Sequence, residues 1–132
     1  MAYSKLLAIF TLVVLLAGPS SALANGGKSK SDSPYVALRP VTLTIVRPNG
    51  RRGALTVEVG LNAPDKALRE RVEVSGPLLR DAYNAALQSY AMRLGPGTAP
   101  DLEIIGAALQ RETDRVLGGK GARVMLGAVL VN

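Results

Sequence analysis

Val41-Thr-Leu-Thr-Ile45, Arg47-Pro-Asn-Gly-Arg-Arg-Gly53 and Leu55-Thr-Val-Glu-Val-Gly-Leu61 follow one another with a single residue between each, and these three runs decide the fold. In the first and last, β-branched and aliphatic residues alternate with polar or small ones. That period of two gives a strand one dry face and one wet face. The middle run cannot continue a strand. Pro48 presets the φ of a turn, and Asn49 and Gly50 accept left-handed backbone. The reading is an antiparallel hairpin with a basic tip and one apolar face. A lone hairpin is marginal in water, so later segments must cover that face.

Working outward, Tyr35–Leu38 is apolar and Arg39-Pro40 interrupts it. This piece is an edge extension or a short arm, because proline has no N–H for a ladder. After the hairpin, Asn62-Ala63-Pro64 ends the second strand and Asp65 stands in an N-cap region. Leu68 and Val72 give the following short helix one apolar side. Ser75-Gly76-Pro77 bends or breaks it, and Pro77 suits a new first turn. From Pro77 to Leu94, Leu79, Ala82, Tyr83, Ala86, Leu87, Tyr90 and Leu94 recur at three- and four-residue steps. They form a stripe of roughly 140°, wide enough to cover a sheet.

Gly95–Pro100 is a loop by composition. Asp101 and Glu103 then open a further helix, where negative charge complements the macrodipole. Leu102, Ile105, Ala108, Leu109 and Val116 make its buried stripe, with Glu112 leaning out beside Arg115. Gly118 and Gly119 stop it. Val124–Val131 (VMLGAVLV) is apolar at nearly every position, which predicts a central strand or one covered on both faces. The expected fold class is α+β in two layers, order β-β-α-α-β, with a small antiparallel or mixed sheet covered by helices.

Absences bound the chemistry. The 132 residues contain no cysteine and no histidine. There is no thiol nucleophile, disulfide or thiolate metal site, and the commonest general base and neutral metal ligand are missing. No phosphate-loop or nucleophile-elbow motif and no metal-ligand cluster occurs. Gly118-Gly-Lys-Gly121 has a helix before it and a strand after it, the reverse of a phosphate cradle. The expectation is a non-enzyme with no cofactor and no metal. Sixteen Lys and Arg against ten Asp and Glu give a charge of +6. The basic residues are scattered, and one Phe with no Trp offers no stacking platform, so nucleic acid is not an expected partner.

Lys5 precedes an apolar run from Leu6 to Gly18, with Thr11 its one polar residue, and Ala22-Leu23-Ala24 follows. A charged start, a short apolar core and a small-x-small site predict a secretory signal peptide over 1–24, with a retained N-terminal anchor as the alternative. A spanning helix wants about 20 apolar residues, and Pro19 ends this run sooner. Residues 25–34 (NGGKSKSDSP) read as a flexible linker. Residues 35–132 form one domain, and the expected location is exported and periplasmic, attached to the inner membrane only if the first segment is kept.

Candidate functional residues are surface charges. Arg47, Arg51 and Arg52 crowd an exposed turn, where they suit an acidic partner or phospholipid heads; a solvated tip is the plain alternative. Glu70 and Glu73, interleaved with arginines, read as a solvated face. Tyr83 and Tyr90 read as core.

Tyr35-Val-Ala-Leu-Arg-Pro-Val-Thr-Leu-Thr-Ile45 resembles the opening Y-x-x-L-x-P-x-T-V-N-L of the flagellar basal body-associated FliL family. Leu55-Thr-Val-Glu-Val59 is similar to that family's second strand, Pro77-Leu-Leu-Arg-Asp-Ala82 to the P-x-I-R-D-A step that begins its long helix, and the closing strand is also similar. The resemblance covers nearly all of 35–131. It implies a stomatin/prohibitin-like fold, a periplasmic domain without catalysis, association with the basal body or motor stator, and self-association into a homo-oligomer. Arg80 and Asp81 stand where the family has its Arg-Asp pair. The family keeps an N-terminal membrane anchor, whereas the apolar run here is short and ends in Ala-Leu-Ala. A cleaved form would depend on a partner for recruitment, or belong to a divergent paralogue.

Two other classes are weighed against this reading. A soluble periplasmic ligand carrier would use an apolar cleft between sheet and helices, with room left by Ala82, Ala85 and Ala86. A carboxylate-based glycan hydrolase would need two inward carboxylates at a fixed separation, and no such pair stands out.

Overall fold

The computed structural model describes residues 32–132. The signal segment and most of the linker expected before Pro34 lie outside the described residues. Strand β1 is Tyr35–Ala37, β2 is Val41–Val46 and β3 is Arg52–Asn62. Helices α1 (Lys66–Val74), α2 (Gly76–Arg93) and α3 (Leu102–Leu117) follow, and β4 (Arg123–Val131) closes the order.

Alternation forms the hairpin as its chemistry requires. Val41, Leu43 and Ile45 are buried while Thr42 and Thr44 are exposed. Val41 stands opposite Val57 and Leu43 opposite Leu55 in an antiparallel register. On the wet face, the Thr42 and Thr56 hydroxyls lie 3.1 Å apart. The tip closes on itself. Arg47 N–H donates to the Arg51 carbonyl at 2.8 Å and Gly50 N–H to the Arg47 carbonyl at 2.9 Å. Asn49 Oδ1 accepts from Arg51 N–H at 3.0 Å, and Gly50 takes the positive φ of 74° that the turn demands.

Strand β3 is the centre of the sheet. On one side it pairs with β2 through Arg52–Val57 and with β1 through Gly60–Asn62; on the other it pairs with β4, all antiparallel. The break at Arg39-Pro40 thus divides one edge into two short pieces along the same side of β3. The piece before the break is the edge extension anticipated for Tyr35–Leu38.

The closing strand departs from expectation. Val124–Val131 is neither central nor covered on both faces: it is an edge strand bonded to β3 alone. Met125 and Leu130 stay about half-exposed on the uncovered face. An apolar residue at nearly every position reads as double burial, but here one face meets a helix and the other meets solvent.

The helices lie on one face, with α2 over β2 and α3 over β4. Leu55, Val57, Val59 and Leu61 share one core with Leu79, Tyr83 and Leu87 of α2 and Ile105 and Leu109 of α3. The class is α+β, with a small all-antiparallel sheet and three helices. The expected order β-β-α-α-β gains β1 as a separate short strand and α1 as a separate helix. Asp65 caps α1 by accepting from Leu68 N–H at 2.9 Å. Pro77 sits in the first turn of α2, and Gly118 (φ 72°) ends α3 as a left-handed cap.

Candidate interaction surface at the hairpin tip

Of the tip arginines, Arg47 is brought against a second loop. Arg47, Pro48 and Val46 face Leu94, Gly97 and Pro100 across a cleft of about 270 Å³, with Ile45 at its base and Val131 at its rim. Sequence reasoning missed this contact. A Cβ at Gly97 would stand 2.9 Å from Pro48 Cγ, and Gly97 has φ 77°. A glycine beside a proline in a G-P-G loop was the available signal, since it permits close approach of another chain segment.

Arg47 is half-buried and its Nε has no hydrogen-bond partner. Its side chain lies over Gly53, beside the Asn132 carbonyl. Arg51 and Arg52 are exposed. Among the described residues the salt bridge formed is Arg115–Glu112, at 2.5 Å on the solvent side of α3, so the three tip guanidiniums are not neutralised by a neighbouring carboxylate.

Arg80 and Asp81 are exposed as well, but they belong to the opposite end. The C-terminal end of α2 reaches the cleft through Leu94, and Arg80 lies roughly 20 Å back along the helix at 1.5 Å per residue. The two sets of candidate residues therefore form two separate surfaces, not one site.

The cleft also lies away from Ala82, Ala85 and Ala86. Ala82 is packed against the core, Ala86 is half-buried and Ala85 faces solvent. On α1, Arg69 donates to the carbonyls of Ala63 (3.1 Å) and Pro64 (2.7 Å), and Arg71 donates to that of Leu117 (3.3 Å). These arginines fasten helix ends, while Glu70 and Glu73 are exposed to solvent.

In the core, Tyr83 Oη and Thr113 Oγ1 lie 2.5 Å apart, and Thr113 Oγ1 donates to the Leu109 carbonyl at 2.7 Å. The threonine proton is thus committed, and Tyr83 is the donor to it. Burial pushes the Tyr83 phenol above its ordinary value of 10.0, and the Asp114 charge adds to it. Tyr90 Oη accepts from Asp101 N–H at 2.7 Å, fixing the start of α3. Both tyrosines are structural. Among the described residues no group of carboxylates is arranged to hold a metal ion, and no helix is long and apolar enough to cross a membrane. Neither protein-family models nor curated proteins give a match to this chain.

Proposed function

We propose that this chain is a non-enzymatic, exported protein of the cell envelope that acts at the flagellar basal body or motor, through protein–protein contacts and self-association, in the manner of the FliL family. In this reading the domain has a stomatin/prohibitin-like fold and stays in the periplasm. The observation that carries it is where the resembling segments fall. Residues 35–45 run along one side of the central strand, 55–59 lie within that strand, and Pro77–Ala82 opens the long helix over the sheet. Arg80 and Asp81 are exposed on that helix, as a pair with a partner must be. The arginines at the tip offer a second, cationic contact to an acidic surface of a stator or basal-body component.

A deletion strain tests this. The expected outcome is loss or weakening of swimming with flagella still assembled, restored by the wild-type gene and not by R80E/D81R. Normal swimming of the deletion strain would end the flagellar reading. A sedimentation measurement giving only monomer at high concentration would end its self-association part.

The cleft of about 270 Å³ favours a second reading, a carrier of small apolar ligands. Its size is just below the usual range of ligand pockets, about 300–1,000 Å³. A solvatochromic dye brightening on wild type and not on a cleft-filling A99W variant would support it.

A further inference from the structure

The two edges of the sheet are built differently. The edge made by β1 and β2 is blunted by Pro34, Arg39 and Pro40. The β4 edge has no proline, and no charge from Val124 to Val131. Natural sheets protect free edges with those residues and with bulges, because a bare edge templates another strand, and of these devices β4 carries only a bulge.

The groups that β4 offers follow from the register. Ala54 and Asn132 exchange both backbone hydrogen bonds at 2.9 Å, while the Val59 carbonyl accepts from Leu38 N–H on the far side of β3. In an antiparallel ladder, bonded and non-bonded pairs alternate. Leu55–Val131, Val57–Val129, Val59–Leu126 and Leu61–Val124 are therefore non-bonded pairs. The N–H and C=O of Val124, Leu126, Val129 and Val131 turn outward. A bulge opposite Glu58 keeps β4 aligned with β3 and sets the outward groups of Leu126 and Val129 three residues apart: two residues, Gly127 and Ala128, face one there. Gln110 Oε1 already accepts from Val124 N–H at 2.8 Å. The unclaimed edge therefore begins at Leu126.

Sterics choose the occupant. Helix α3 lies directly over β4. A second copy pairing antiparallel, edge to edge, would bring its own α3 onto the same face about one strand spacing away, ~4.8 Å, whereas packed helices need about 8–10 Å. An antiparallel strand added to this edge must therefore lack a helical roof. Charge narrows it further. Arg123 stands at one end of the edge, and at the other the Arg47 side chain lies beside the Asn132 carbonyl with Arg52 nearby on β3. Met125 and Leu130 give the uncovered face two half-exposed apolar contacts.

From this geometry we infer that the β4 edge, from Leu126 to Val131, binds an extended segment of a partner protein by strand addition. That segment is apolar at alternate positions and carries carboxylates at both ends. The inference rests on the reading of this chain as a binding protein and names the surface and its partner's chemistry.

The test uses the full chain and a synthetic peptide of alternating valine and threonine flanked by aspartates, with a lysine-flanked counterpart. The acidic peptide should bind and shift the amide resonances of Leu126, Val129 and Val131, and the basic one should bind at least tenfold more weakly. Val131→Pro removes an outward N–H without touching the ladder to β3, and should weaken binding tenfold or more. Leu130→Glu, on the exposed face, should do the same without a proline. Absence of binding, equal binding of both peptides, shifts confined to the tip cleft or β2, or a wild-type dimer abolished by Val131→Pro would each overturn the inference. Peptide binding by a chain whose deletion leaves swimming intact would leave the edge standing and remove the flagellar reading. A motility defect without peptide binding would do the reverse.

Discussion

Thr113 is fully buried and polar, and it sits in the apolar stripe of α3 where a hydrophobic residue is the ordinary choice. Its hydroxyl serves two partners, donating to Leu109 and accepting from Tyr83. The two deletions of this bond are therefore unequal. Thr113→Val leaves the Tyr83 O–H buried with no acceptor and should cost about 1–3 kcal/mol. Tyr83→Phe leaves Thr113 bonded to Leu109 and should cost about 0.5–1.5 kcal/mol. Urea unfolding of both variants checks the order, and equal losses would contradict the donor assignment. The raised phenol pKa adds a pH signature. The folded chain resists ionising Tyr83 while the unfolded chain ionises at its ordinary value. Stability is thus whole below pH 10.0 and falls as pH rises beyond it. In Tyr83→Phe that alkaline loss should be reduced in a pH series of urea midpoints. None of this was legible in the sequence: a threonine in a helix reads as a surface residue, and only the packed tyrosine 30 positions away explains it. Leu102 errs the other way. It belongs to the stripe by spacing yet is 52% exposed, because it occupies the first turn of α3, beyond the packed stretch from Ile105 to Leu117.

Strand β4 shows how one element's sequence can mislead while its neighbours are plain. Alternation in β2 and β3 and the stripe in α2 are legible in the sequence, since each has one buried and one exposed side. Nothing in VMLGAVLV distinguishes a doubly covered strand from an unprotected edge, and a bulge leaves no periodic trace. Gln110 was unreadable for the same reason. It bonds Val124 N–H, the Ala122 carbonyl (2.8 Å) and Asp114 (2.9 Å), tying α3 to the start of β4. Gln110→Ala should cost about 1–3 kcal/mol by stranding two backbone groups, and amide exchange at Val124 should accelerate. At the tip, Gly97→Ala places a side chain against Pro48 on a backbone of positive φ, so a loss of about 1 kcal/mol or more is expected. The variant's thermal midpoint measures it, at roughly 4–8 °C per kcal/mol for a domain of this size. An unchanged midpoint would mean that tip and loop do not pack.

At the scale of the whole molecule, among the described residues, β1, β2 and β4 each bond only to β3. The β1/β2 side is local, joined through one hairpin, whereas the β4 side closes after three helices have intervened. Sequence patterns carry the first kind of pairing and not the second, which is why the sheet's composition was readable and its order was not. Amides of β3 should exchange slowest and as a group in hydrogen–deuterium exchange, because no strand pair survives without it. Exchange of the β2–β3 hairpin at a rate distinct from β3–β4 would refute a single cooperative sheet. The same arrangement governs the newborn chain. While the ribosome is still making α1 to α3, the Leu55–Leu61 run already exists with half its hydrogen-bonding capacity unspoken for. A polypeptide so exposed for that interval invites mispairing with its siblings, and its yield should depend on a chaperone that shields it until Arg123–Val131 emerges.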